Sequence, residues 1–240
     1  MSNYQILNNV EHADVKIRLD RAAKYGDDVM FCMTYPFEFR LALAHYPIVI
    51  YKSVDTEAIY PVALFGFEEG ENLFLSEHGW EARYIPIMVQ RQPFSIGFQQ
   101  QPGSNEKQKI ITFNPLHPRV NSEQGEAVFN EHGGYTPYLE QVVKMLESID
   151  TGHVQNRMLM EALKKHDLLE PTTIAITLND GSSYELVGFH TIADDKFEAL
   201  SAEALDELNQ QKLLLPITMI IASMSNLGDL VTRRNRKLGL

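Results

Sequence analysis

The sequence predicts an α+β fold: a single domain with a strand-rich N-terminal half and a helical C-terminal half that contains one β-hairpin. Three observations carry this reading. Before Thr136, short runs rich in β-branched and aromatic residues alternate with turn residues. After it, apolar residues recur at helical spacing, and Asn179-Asp180-Gly181 splits one alternating apolar and polar stretch in two. The 240 residues can bury a substantial core, and 44% hydrophobic with 10% aromatic content is the composition of a folded chain.

Taken in order, "VMFCMTY" and "IVIYKS" read as strands. Between them "FEFRLALAH" has helical spacing, with Pro36 suited to a first turn and Pro47 blocking continuation, so His45-Tyr46 marks the helix end. "PVALFGF" and "NLFL" flank "EEGE" and predict a hairpin, with Gly70 giving the turn its freedom. "YIPIMVQRQPF" fits either a strand or a short helix. "SIGFQQ" and "KIITFN" predict strands around the polar loop "QPGSNEKQ". Thr136 can cap a helix that starts at Pro137 and buries Leu139, Val142, Val143 and Leu146. Gly152 is expected to end or interrupt it before a second helix carrying Met158, Leu159, Ala162 and Leu163. "SAEALDELNQQ", capped by Ser201, and "LLLPITMIIASMSNLGDLVTRR" close the chain as helices. No repeat or linker separates domains, so residues 9–234 are expected to form one unit, followed by a basic tail at 235–240.

A net charge of −11 disfavours a broad nucleic-acid or anionic-membrane surface. The cations Arg233, Arg234, Arg236 and Lys237 read as a solvated helix end. Cys32 is the one cysteine, which fits a reducing compartment, and its neighbours Met30, Phe31 and Met33 suggest burial. The N-terminus lacks a basic start followed by an apolar core, and "LLLPITMIIASM" is about half the ~20 residues of a membrane span. A cytoplasmic protein without a membrane span is expected.

Candidate chemistry is sparse. The eight histidines include no pair at i,i+4 spacing, and His78, His117 and His132 sit near Gly or Pro, so no metal is expected. Asp27-Asp28, Glu68-Glu69 and Asp194-Asp195 read as solvated turns, since adjacent side chains diverge. The phosphate-loop, dinucleotide and nucleophile-elbow patterns are missing, so no cofactor is expected. Arg91, among apolar and aromatic residues, suits a carboxylate or a ring face, with a structural ion pair as the simpler reading. Trp80 reads as a partly buried anchor rather than a binding platform. The polar segments that most resemble a site are His45-Tyr46, the turn at Asn72 and the stretch around Arg91.

The blocks "AHYPIVI", "YPVALFGFEEGENLFL", "YIPIMVQRQPF", "SEQGEAVFNEHGGYTPYL" and "SNLGDLV", in this order, resemble the bacterial SapC family from about Asn9 to Arg234. That family is named after surface-array proteins and is distinct from the peptide-transport permease of the same name. On its pattern fall His45, Tyr46 and Pro47; Gly70, Asn72, Leu73 and Phe74; and Tyr84, Pro86 and Arg91. One departure is that "QRQPF" stands where many relatives have Arg-Arg-Tyr-Pro-Phe, so a role needing two arginines or that phenol is in doubt. The resemblance implies an accessory or binding protein of a surface-layer, outer-membrane uptake or flavoprotein-linked system. Its partner would then be a flavin-dependent halogenase-like protein or a surface or uptake component, with binding residues at His45, Tyr46, Asn72, Tyr84 and Arg91. The alternative is an enzyme modifying a peptide or small molecule, with His45 as acid/base and Arg91 holding an anion.

Overall fold

A computed structural model describes residues 3–100 and 107–240. The strands are β1 (Gln5–Ile6), β2 (Lys16–Ile17), β3 (Phe31–Met33), β4 (Ile48–Lys52), β5 (Ile59–Leu64), β6 (Leu75–Ser76), β7 (Gly79–Trp80), β8 (Phe94–Gln100), β9 (Lys107–Phe113), β10 (Val120–Asn121), β11 (Glu126–Ala127), β12 (Leu169–Thr177) and β13 (Ser183–Ile192). The helices are α1 (Phe39–Ala42), α2 (Ile87–Gln90), α3 (Pro137–Lys165), α4 (Asp194–Glu198), α5 (Ala202–Gln210), α6 (Leu214–Ser223) and α7 (Leu227–Leu238). The fold is α+β. Its backbone forms two compact units, neither continuous in sequence: residues 1–27 with 87–150, and residues 28–86 with 151–240.

In the first unit β8 and β9 pair from Phe94 opposite Phe113 to Gln100 opposite Lys107, as their alternating patterns predict, and β1 adds to the outer edge of β9. The middle of the "QPGSNEKQ" loop lies outside the described residues. "YIPIMVQRQPF" resolves as the short helix α2 followed by β8. Ile17, Phe94, Phe113, Val128, Leu139 and Val142 are fully buried and form the core. The Asp27-Asp28 pair is not a solvated turn. Asp28 is exposed, but Asp27 is fully buried beneath the Arg119 guanidinium, whose Nη2 donates to its Oδ2 over 2.6 Å. Burying an arginine requires such an anion, and no local pattern in the sequence discloses a partner 92 residues away.

The second unit is built on a five-stranded antiparallel sheet of order β12-β13-β4-β5-β3. β12 and β13 form the hairpin expected at Asn179-Asp180-Gly181, with Gly181 at φ +84°. α6 packs on β4 and β13, and its Ser223 hydroxyl accepts from the Ile48 backbone N–H over 2.8 Å. "EEGE" does not join a hairpin. Both edges of β5 are taken, one by β4 and the other by β3, so "NLFL" leads instead into the small β6–β7 ribbon. The turn itself needs Gly70, at φ +77°. Cys32 is half-buried rather than buried, because β3 is an edge strand.

Gly152 does not end α3, which runs unbroken for 29 residues from its Thr136 cap, where Oγ1 accepts from Leu139 N–H. A Cβ on Gly152 would lie 2.5 Å from Tyr35 Cδ1, so glycine is kept for close approach to that ring, at a helix-propensity cost of about 1 kcal/mol. α6, a 3₁₀ turn at Met224–Asn226 and α7 make one helical run, Leu214–Leu238, long and apolar enough by length and composition to cross a membrane, unlike the shorter run read from the sequence. Here it buries Ile217, Ile220, Ser223 and Leu230. Two of its four cations do not fit a solvated end: Arg233 pairs with Glu81, and Arg234 pairs with Glu68 and the buried Glu71 while donating to the Tyr184 hydroxyl, whereas Arg236 and Lys237 are exposed in the last turn as expected. The expected tail at 235–240 is helical to Leu238, with Asn235 buried and accepting from Asn179 N–H.

Candidate ligand site

Four of the five residues singled out in the sequence belong to the second unit. α1 is a single turn. His45 and Tyr46 both donate their N–H to the Ala42 carbonyl, and Pro47 releases the chain into β4, so the helix-end reading of this junction holds. Tyr46 is fully buried among the rings of Phe65 and Phe74, at 5.1 and 4.7 Å. Its hydroxyl accepts from Trp80 Nε1 over 2.8 Å and donates to the Tyr84 carbonyl. Trp80 is therefore an anchor, edge-on to Phe65. Tyr84 donates to Glu38, 1% exposed, which also accepts from the Thr34 hydroxyl and the Tyr35 N–H. Asn72, also buried, folds the turn by accepting from Phe74 N–H, which sets the Phe74 ring against Tyr46.

Burial, opposed by the Trp80 hydrogen bond, raises the Tyr46 pKa. Burial and then the Glu38 charge raise that of Tyr84. In the first unit, burial pushes Tyr138 up to about 12. These hydroxyls are donors at neutral pH, not bases. Because folded-state values lie above the ordinary tyrosine value of about 10, the associated stability is complete below about pH 10 and is lost as pH rises beyond it. In a spectrophotometric titration near 295 nm, the folded protein is expected to ionise fewer than its ten tyrosines at pH 11, the remainder appearing only with alkaline unfolding. Full ionisation at pH 11 with native circular dichroism would contradict this assignment.

His45 is half-buried. Burial, and then the charges of Arg233 and Arg83, lower its pKa, so it is neutral at pH 7. Arg91 belongs to the first unit, where it is half-buried and its Nη1 donates to the Phe94 carbonyl. It has no ion pair among the described residues.

A concavity of the second unit lies elsewhere, a cleft of about 690 Å³ over one face of the sheet. Its floor follows from strand register. Phe189 on β13 faces Tyr51 on β4, and Phe31 on β3 reaches across to both, with ring centroids 4.8 Å from Tyr51 and 5.8 Å from Phe189. Three carboxylates, Asp28, Glu69 and Glu185, also line the cleft. All three are exposed, and none has an ion pair among the described residues. Aromatic faces carry negative electrostatic potential, and unpaired carboxylates add formal charge, so the cleft favours an ammonium or guanidinium carried on an apolar body. Sequence reading missed it. Asp28 and Glu69 read as solvated turns, and Phe31, Tyr51 and Phe189 come from three strands far apart in sequence, so no local pattern joins them.

No group of three or more metal-ligating side chains occurs among the described residues. A search of curated proteins and a search of solved structures find no match. The SapC family model matches residues 7–230, spanning segments of both units, and the chain belongs to that family.

Proposed function

Taking SapC membership as the premise, we propose that the chain is a cytoplasmic binding protein that holds a basic, aromatic- or aliphatic-containing segment of a partner protein in its acidic cleft. The observation that carries this is the set of three unpaired carboxylates around the Phe31–Tyr51–Phe189 floor. A lysine or arginine laid on that floor gains cation–π attraction and a carboxylate partner together, and its apolar neighbours cover ring surface. The partner itself is a component of a surface-layer, outer-membrane uptake or flavoprotein-linked system, the halogenase-like flavoproteins included. In this reading the saturated Tyr46–Trp80–Tyr84–Glu38 hydrogen bonds hold the scaffold, not the ligand.

The test uses fluorescein-labelled, C-amidated Phe-Arg-Leu-Lys and its counterpart Phe-Glu-Leu-Glu. The basic peptide is expected to bind saturably and to weaken by about tenfold on going from low to high salt, while the acidic one does not bind. The combined variant Asp28→Asn, Glu69→Gln, Glu185→Gln should lose about tenfold or more in affinity at an unchanged melting temperature, because these side chains are exposed. Equal binding of both peptides, absence of binding, or an unaffected variant would dispose of the proposal.

A further inference from the structure

A second concavity of the same unit has the opposite charge. A groove of about 470 Å³ runs between the start of α1, α3 and the α5–α6 corner. Its walls include Phe37, Leu215, Pro216 and Met219, and Phe37 and Leu215 are 41% and 53% exposed despite their size. Arg40 and Lys212 line it, both exposed and neither with an ion pair among the described residues. The charged side chains of this lining are both cationic, against a net charge of −11 for the chain as a whole.

The polar groups at the groove point the same way. Lys212 occupies the left-handed region, φ +61°, at the sharp corner between α5 and α6. α6 then begins with Leu213 at its N-cap, which offers no side-chain acceptor, and with no acidic residue in its first turn. The N–H groups of Leu214 and Leu215 have no hydrogen-bond partner among the described residues, which leaves the positive end of this ten-residue helix uncompensated. On the α3 wall, the half-buried Gln155 carries a buried Oε1 without a partner.

We propose that this groove captures the C-terminus of a partner polypeptide ending in an apolar residue. The terminal carboxylate sits between Arg40 and Lys212 at the start of α6, the last side chain lies against Phe37, Leu215 and Met219, and a preceding peptide N–H meets the Gln155 amide. Charge complementarity selects a carboxylate. The side-chain amides of Gln155 and Asn209 select a peptide over a plain fatty acid, which has no N–H or C=O to offer them. The volume falls in the range of small-ligand sites rather than that of a flat interface.

The probe is the peptide Gly-Gly-Ser-Phe-Leu with a fluorescein at its N-terminus, measured against the full chain by fluorescence anisotropy. Saturable binding is expected, weakened about tenfold or more when the C-terminus is amidated and again when Arg40→Gln and Lys212→Gln are combined. Both cations are exposed, so this variant should keep the wild-type melting temperature. Octanoate should displace the probe only at a concentration roughly a hundredfold above that of unlabelled peptide. The variant that neutralises Asp28, Glu69 and Glu185 should bind the probe unchanged, which separates this groove from the acidic cleft. Equal binding of acid and amide, an unaffected Arg40/Lys212 variant, displacement by octanoate as readily as by peptide, or no binding at all would overturn the proposal.

Discussion

Replacing Asp27 with alanine is expected to cost the first unit about 3–5 kcal/mol, the scale for removing one partner of a buried ion pair. The carboxylate is fully buried and holds several donors at once. Oδ2 accepts from Arg119 Nη2 at 2.6 Å and from Ala22 N–H at 3.0 Å, and Oδ1 accepts from Arg21 Nη1 at 3.2 Å. Arg119 is 1% exposed, and its Nη1 donates to the carbonyls of Arg18 and Asp20, at 3.0 and 2.6 Å. Arg21 already has its pKa lowered, first by burial and then by Arg119, with Asp27 opposing both. Alanine at 27 therefore leaves the buried Arg119 guanidinium and the half-buried Arg21 without their shared anion. Urea unfolding followed by far-UV circular dichroism measures the loss. The control is the double variant Asp27→Leu with Arg119→Met, which removes both charges and is expected to recover most of it, since an apolar pair of similar volume avoids the desolvation cost. A loss below about 1 kcal/mol for the single variant would show that the pair is not carrying this unit.

What the sequence disclosed was chemistry that acts over a few residues. The Asn179-Asp180-Gly181 turn, the Thr136 cap before Pro137 and the Ser201 cap of α5 each state their conformation locally, and each lies where expected. Gly152 failed as a helix stop because the competing term is tertiary. Its local cost of about 1 kcal/mol is smaller than the packing that the Tyr35 ring makes possible only against a bare Cα. The hairpin expected at "EEGE" failed for a related reason. Two flanking strand-like runs pair with each other only if their edges are open, and those of β5 are occupied by β3 and β4.

The two compact units share a backbone that passes between them at Asp27/Asp28, at Pro86/Ile87 and inside α3 at Asp150/Thr151, so each is assembled from segments far apart in sequence. The candidate sites are discontinuous in the same way. The carboxylates of the cleft come from positions 28, 69 and 185, and the cations of the groove from 40 and 212, so in the sequence each was one charged residue in an ordinary turn or helix. His45, Tyr46, Asn72 and Tyr84 stood out because their types were unusual for their surroundings. In the structure Tyr46, Asn72 and Tyr84 bond to the surrounding scaffold.

Replacing Glu38 with alanine tests that scaffold. Glu38 accepts from the Thr34 hydroxyl at 2.8 Å, the Tyr35 N–H at 3.1 Å and the Tyr84 hydroxyl at 2.5 Å, in a position that is 1% exposed. Each buried donor left without an acceptor costs about 1–3 kcal/mol, and with partial relaxation the expected loss is on the order of 3–5 kcal/mol. Tyr84→Phe removes a single donor and leaves Glu38 two of these three, so about 1–2 kcal/mol is expected for it. The two variants should also differ in the emission of Trp80, the one tryptophan, whose Nε1 donates to Tyr46, which in turn donates to the Tyr84 carbonyl. Loss of Glu38 frees the Tyr84 ring, loosens its backbone and admits water towards the indole, giving a red shift under native conditions. Tyr84→Phe keeps the ring packed and should leave the emission near that of wild type. If Glu38→Ala unfolds within about 1 kcal/mol of wild type and its Trp80 emission does not move, the hydrogen bonds from Thr34 to Trp80 do not act as one connected support, and the sequence-selected tyrosines regain their standing as candidate ligand contacts.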